Sequence, residues 1–551
     1  MSNLYLKVQC VPFNNIPFNF SLVNHNPPIA DLLDCIDSSE RTHELFARLI
    51  KNNTEQRGIL YTSKADIVGF KNPEELAEKY NNMLYHRHQY ARIEIFKNHF
   101  YIKEYDENVY EIIYKLKRYA ESGIKNYTHS VDLWMKNSGL IIDCDEKKNA
   151  LRNLFKNSKV AFIYGAAGTG KSTMINYISS LFKDKQKIFL ANTNPAVENL
   201  RRKVTAEHAE FVTITKFLSK DVSNDCDILC LDECSTISNR DMVRVLQRAQ
   251  CKLLVLVGDI YQIESILFGN WFNIAYKVMP KDSVAELTRP HRTTVQGLIE
   301  VWNKVREITE DRLEFITRNG LSSTLDESIF SRTEEDEIVL CLNYDGIYGI
   351  NNINKFLQSN NVNPSINWGV LSYKVGDPVL FNESNRFAPL VYNNLKGKIL
   401  QIEEEEDCIY FTIEVYTVLN ELDVIGFDLE LKESVTDETS VIRFKVGRGG
   451  DGNDDNDNVE NVVPFQVAYA ISIHKAQGLE YESVKVVITS EIEEMVSHNI
   501  FYTAITRAKS KLKIYWSPET EKRILENMKV QFNDKDYQLF KAKYKEALLK
   551  S

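Results

Sequence analysis

Residues 160–173 read VAFIYGAAGTGKST. Five apolar residues run without a break into Gly165, and Gly165 to Ser172 then match G-x-x-x-x-G-K-[ST] at every fixed position. A helix-compatible run, TMINYISSLF, follows at once. Strand, glycine-rich loop and helix form the setting in which backbone N–H groups wrap phosphates at the positive end of a helix. This reading assigns Gly165, Gly168, Thr169, Gly170, Lys171, Ser172 and Thr173 to a bound nucleotide. Lys171 is expected to reach the β- and γ-phosphates and Ser172 to ligate Mg²⁺, so ATP and Mg²⁺ are the expected cofactors.

Outward from this loop the chain alternates short apolar strands with helices. KIFLAN (187–192), DILCLDE (227–233) and KLLVLVGD (252–259) are continuous apolar runs of strand length. EIVLCLN (337–343), SVKVVIT (483–489) and KLKIYW (511–516) repeat the texture later. Strands apolar on both faces belong in parallel sheets covered by helices, so the fold class is α/β. The second run ends in Asp232 and Glu233, at the carboxyl end of a parallel strand, where such sheets bind ligands. Asp232 fits an Mg²⁺ ligand and Glu233 a base that orients and deprotonates the attacking water. The third run ends in GDIYQ, which offers Gln262 to the γ-phosphate.

Bulk properties bound the rest. At 551 residues the chain needs two to four domains. No segment approaches the ~20 apolar residues of a membrane span, so no membrane partner is expected. MSNLYLKVQC lacks the order of a signal peptide, and nine cysteines without paired spacing fit a reducing cytoplasm. Cys226, Cys230 and Cys234 fall in and beside an extended run, where residues four apart lie ~13 Å from each other, too far to share a metal. A net charge of −10 excludes a chain that coats nucleic acid by basicity alone and leaves room for a local basic groove.

Residues 1–138 carry no catalytic motif and read as an α+β accessory domain. A helix is expected over Val109–Ile124, with Ile112, Ile113, Leu116, Tyr119 and Ala120 on one side. Residues 139–296 read as one α/β domain, and 297–367 with 463–551 as a second. Between them, 368–462 alternates apolar and polar residues and ends in polar turns, which fits a small inserted antiparallel β (SH3-like) subdomain. The tract GRGGDGNDDNDN (447–458) has too little apolar surface to fold.

The ordered series GAAGTGKS, LDECS, GDIYQ, LTRPHRT, HKAQGLEY and FYTAITRAK resembles the motifs of superfamily 1 helicases, nearest to RecD-like and UvrD-like enzymes. The resemblance covers about two-thirds of the chain and implies two RecA-like motor domains. It places finger arginines at Arg292 and Arg507, as charge on a transferring phosphoryl group requires. It puts Gly478 and Glu480 near the nucleotide, and Ser472 and His474 near the strand. ANTNPAVENL (191–200) and TITKFL (213–218) resemble strand-contacting segments and nominate Thr193, Asn194 and Thr215. Phe268 and Trp271 are candidates for a base-stacking platform, although such a pair is more often core.

Two positions depart from the family pattern. DEKKNAL (145–151) has lysine where an adenine-reading glutamine is usual, and His291 replaces a tyrosine before the finger arginine. The function implied is an ATP-dependent helicase or translocase moving 5′→3′ on single-stranded DNA. RNA as the strand, or an ATPase without duplex unwinding, are the alternatives, and the amino-terminal region is a candidate site for a protein partner.

Overall fold

The computed structural model describes residues 41–549 apart from 56, 220–223, 263–267, 290–292, 294, 370, 383–385, 389, 435, 448–460 and 529–533. Arg292, His291 and all but Gly447 of the 447–458 tract lie outside the described residues.

Two parallel sheets carry the architecture. The first contains β1 (Val160–Gly165), β2 (Lys187–Ala191), β3 (Ala209–Thr213), β4 (Asp225–Leu231), β5 (Gln250–Gly258) and β6 (Val284–Leu287), in the order β3-β2-β4-β5-β1-β6. Every pairing is parallel, and in register Ile163 faces Val257 while Leu190 faces Leu231. All six residues of β1 are buried, which is why its sequence shows no alternation. The second sheet holds β7 (Ser322–Ser323), β8 (Glu337–Cys341), β9 (Ala470–Ser472), β10 (Tyr481–Val487) and β11 (Ala508–Tyr515), ordered β7-β11-β10-β8-β9 and again wholly parallel. The fold is thus α/β with two RecA-like sheets.

Between β8 and β9 the chain leaves the second sheet to build a six-stranded antiparallel one, with strands from Pro378–Phe381 to Phe465–Val467. Alternation is visible in the strand Cys408–Val415, whose even-spaced Ile409, Phe411, Ile413 and Val415 are all fully buried. Of the acidic run Glu403–Asp407, which reads as a solvated turn edge, Glu403 and Glu404 end the strand Lys396–Glu404 and only Glu405–Asp407 form the turn. The described cysteines are free, and Cys226, Cys230 and Cys234 are buried. No helix among the described residues is long and apolar enough to cross a membrane.

The amino-terminal region differs from a freestanding unit. A small core of its own exists, around Phe46, Ile50, Tyr80 and Phe100. Its long helix, however, runs Lys103–Ala120 and turns Val109, Ile112, Ile113 and Leu116 into the same apolar cluster as Phe162 and Leu229 of the first motor sheet and Met242 of the helix Asn239–Arg248. The stripe needs a partner, and the motor supplies it. The carboxyl-terminal helix, Asp534–Leu549, also departs from expectation. Leu539 and Phe540 pack in that first cluster and not against the second sheet. Asp536 accepts from the backbone N–H of Leu60 (2.7 Å) and Tyr61 (3.0 Å). Buried Asp106 accepts from Lys543 Nζ at 2.6 Å and from the hydroxyls of Tyr61 and Tyr544. The helix Asp534–Leu549 is therefore a clasp on the amino-terminal region at Leu60, Tyr61 and Asp106.

Candidate active site

The phosphate loop is built by backbone conformations that only glycine adopts cheaply. Gly168 and Gly170 have φ of 77° and 86°, and Gly170 caps the helix Lys171–Leu181. Contact sets a second constraint at Gly165, where a Cβ would meet Thr169 Oγ1 at 2.4 Å and the Leu287 carbonyl at 3.0 Å. Thr169 is buried and donates to the Ala166 carbonyl at 3.0 Å, closing the loop from within. Lys171 Nζ lies across the same loop, donating to the carbonyls of Gly165 (2.8 Å) and Ala166 (3.0 Å). Ser172 and Thr173 follow in the first helical turn, both partly exposed. The loop can take a chain of phosphates and has little room for substitution.

Asp232 and Glu233 stand at the carboxyl end of β4, which lies between β2 and β5 in the sheet. Glu233 has φ 53°, a left-handed conformation that costs a non-glycine residue of order 1–3 kcal/mol. The N–H and hydroxyl of Thr236 both donate to the Glu233 carbonyl at 2.9 Å and hold it there. Asp232 Oδ1 accepts from the Glu233 N–H at 2.9 Å. Burial, and then the neighbouring Asp232, push the Glu233 carboxyl up to about 7, against the pull of Arg507, Lys171 and Lys203. Burial likewise raises Asp232. One carboxylate is poised to exchange a proton near neutrality.

The second sheet closes over this edge. Gly478, with φ 77°, would place a Cβ 3.8 Å from Glu233 Oε1 and 3.7 Å from the Ala196 nitrogen, so the two units touch at the acid. Glu480 pairs with Lys203 Nζ at 3.6 Å, again across the boundary. Arg507 is buried, donating to the carbonyls of Thr503 (3.0 Å) and Leu479 (3.2 Å), and its charge reaches Glu233. Gln262 is half-buried below β5, its N–H donating to the Asp259 carbonyl at 3.3 Å.

Some contributors escaped the sequence reading. Tyr502 accepts from the Ala167 N–H at 3.5 Å, a contact between the FYTAITRAK helix and the phosphate loop. Arg306 lies 4.6 Å over the Tyr261 ring and ties the second unit to the GDIYQ turn. Lys147 is fully buried, pairs with Asp143 at 2.5 Å, and its Nζ is 2.5 Å from where a Gly170 Cβ would stand. The lysine of the departing segment thus braces the phosphate loop. Only the last was foreshadowed, as an anomaly of residue type.

The strand-contact candidates divide. Asn194, Thr215 and His474 are exposed, and Thr193 is half-buried as the cap of the helix Asn194–Lys203, where its Oγ1 accepts from Ala196 at 3.4 Å. Two must be corrected. Trp271 is fully buried, its indole N–H donating to the Ile237 carbonyl at 2.9 Å, so it stacks on no base. Ser472 is buried at the end of β9, where its Oγ accepts from the Lys475 N–H at 3.2 Å, a turn cap. Phe268 is buried too, edge-on to Tyr105.

Two parallel sheets meeting over a phosphate loop, an acid pair and a buried arginine are what an ATP-hydrolysing motor of the superfamily 1 helicase kind requires. The family comparisons agree: residues 144–326 match the AAA domain and residues 467–515 the UvrD-like helicase C-terminal domain. The chain is 23% identical over 503 residues to the RecBCD enzyme subunit RecD of Buchnera aphidicola, covering 70% of this chain and 78% of that one. It is 23% identical to the ATP-dependent DNA helicase Pif1 of Campylobacter jejuni, covering 64% and 88%. An uncharacterized protein of Methanocaldococcus jannaschii is 24% identical over 67% of this chain, which spans only 37% of that relative's length. Among solved structures, Pif1 helicase from Bacteroides in complex with ADP-AlF3 and ssDNA aligns over 74% of this chain and 98% of its own, at 16% identity and a TM-score of 0.43.

Proposed function

We propose that the chain couples ATP hydrolysis to 5′→3′ movement along single-stranded DNA and separates duplex ahead of it. The observation that carries this reading is the approach of Gly478 and Arg507, from the second unit, to Glu233 of the first. A site shared in this way links nucleotide binding and hydrolysis to closure and opening of the two units. Lys171 holds the β- and γ-phosphates, Glu233 takes the proton of the attacking water, and Gln262 senses the γ-phosphate. Arg507 and Arg292 stabilise the charge of the transferring group. Ser172 and Asp232 would hold Mg²⁺, which neutralises phosphate charge when bound.

Thr193, Asn194, Thr215 and His474 are assigned to the strand. DNA and the polarity come from the resemblance to RecD-like enzymes and from relatives named as DNA helicases. Residues 139–296 and 297–367 with 463–528 are assigned to the motor and 368–462 to the insert. Residues before 138 guide substrate or recruit a protein partner, because none of the six motifs lies there. Partial duplexes with either a 5′ or a 3′ single-stranded DNA tail, and RNA-tailed equivalents, test the assignment. Unwinding is expected from the 5′ DNA tail. Unwinding confined to 3′ tails reverses the polarity, and a preference for RNA tails replaces the substrate.

A further inference from the structure

Between Glu78 and Glu94 the sequence KYNNMLYHRHQYARI contains no acid and three formal cations, Lys79, Arg87 and Arg92, within a chain of net charge −10. This segment runs from the end of the helix Pro73–Met83 through the turn His86–Ala91 on the surface of the amino-terminal region. Tyr80 belongs to the core, whereas the later tyrosines do not. Tyr85 is 50% exposed and Tyr90 46%. They form a ladder with two histidines: Tyr85 to His86 at 4.1 Å between centroids, Tyr85 to His88 at 5.7 Å, and His88 to Tyr90 at 5.9 Å. Arg87 is exposed beside them, and Arg92 is held by the Gln89 side-chain oxygen at 3.0 Å.

The ladder leads somewhere. Tyr90 lines a groove of about 380 Å³ whose walls also include Tyr105 and, from the first motor unit, Asn239, Arg240 and Phe268. The acids in the groove are already engaged: Glu55 accepts from the Tyr105 hydroxyl and lies 3.8 Å from Lys51, and Glu104 faces Arg240. Arg240 and Arg244 are exposed one turn apart on the helix Asn239–Arg248, and Arg244, 3.5 Å from Asp241, shares a recess with that acid and Thr215. A path of cations and rings therefore runs from Thr215 through Arg244 and Arg240 to Tyr90 and Tyr85.

We propose that Tyr85–Arg92 is a second binding element for single-stranded nucleic acid, stacking unpaired bases of the strand that the motor holds at Thr215. The proposal rests on the single-strand reading given above. Exposed rings flanked by cations, in a segment that carries no acid of its own, suit unpaired bases on a phosphate chain. A paired duplex presents no base face to such rings, and an acidic peptide would not need them. The ladder lengthens the footprint of the enzyme beyond the motor and leaves hydrolysis untouched.

Fluorescence anisotropy with oligothymidylates of about 8 and about 30 nucleotides tests this, with the wild type, Tyr85→Ala/Tyr90→Ala and Tyr85→Phe/Tyr90→Phe. The alanine pair is expected to lose at least about tenfold in affinity for the long oligomer and nothing for the short one. The phenylalanine pair keeps both affinities, since stacking survives loss of the hydroxyl. ATPase without nucleic acid stays at the wild-type level in both variants. Equal binding of the long oligomer by the wild type and the alanine pair overturns the element while leaving the motor reading intact, and the patch then belongs to another partner. If the wild type binds neither oligomer, the single-strand reading itself is wrong, and the element falls with it.

Discussion

Glu233→Gln is expected to lower ATP turnover by about 10²- to 10⁴-fold, the range in which a positioned general base contributes, while nucleotide binding survives. The substitution keeps the shape of a side chain that stands beside Gly478 at the boundary, and removes only its capacity to take a proton. Bound nucleotide should therefore hold the two units together, and single-strand affinity should change little or rise. Lys171→Ala is the contrast. Its ammonium lies over the loop carbonyls of Gly165 and Ala166, where the phosphates pass, so its loss is expected to weaken ATP binding as well as turnover. Equilibrium binding of a fluorescent nucleotide beside steady-state ATPase separates the two. Hydrolysis by Glu233→Gln at the wild-type rate removes Glu233 from the role of base.

Arg507→Ala is expected to cost a hundredfold or more in turnover, as does loss of a donor fixed in advance at the developing charge. The arginine is buried and ties the carbonyls of Thr503 and Leu479, so a second effect on stability must be separated from the chemical one. Removing the guanidinium leaves two carbonyls short of a donor, each costing about 1–3 kcal/mol. Thermal unfolding measures that cost. Arg507→Lys retains the charge without the planar fork and is expected to recover stability better than turnover. If the alanine variant remains folded and hydrolyses ATP normally, the arginine belongs to the scaffold alone.

How far these elements could be read in advance depended on how local their causes are. β1 and the loop after it were legible because every residue from Val160 to Gly165 is buried and each loop glycine answers a local demand of φ or contact. The same holds for Asp232 and Glu233, whose place at a strand end follows from the apolar run before them. Trp271 was open to misreading because an aromatic at helical spacing has the same sequence whether it faces solvent or Ile237. Ser472 posed the same difficulty. The docking of Lys103–Ala120 was half legible: its apolar stripe was plain, and the sheet that receives it was not. Least legible was the terminal clasp, since Asp536 and Leu60 meet across 476 positions and nothing in DKDYQLFKAKYKEALL announces that an aspartate and a lysine will be drawn to the other end of the chain. Lys147 stood out by type, but its contact with Gly170 required the fold.

Hydrolysis by the purified full chain, measured at steady state with and without saturating single-stranded DNA, bears most directly on whether one cleft couples the two sheets to a strand. Turnover is expected to rise at least about tenfold when the strand is added, through an affinity that falls steeply with salt because phosphate contacts release counterions. An ATPase rate that no single strand, DNA or RNA, alters at any salt concentration would contradict a strand-driven motor and leave a nucleotide switch in its place.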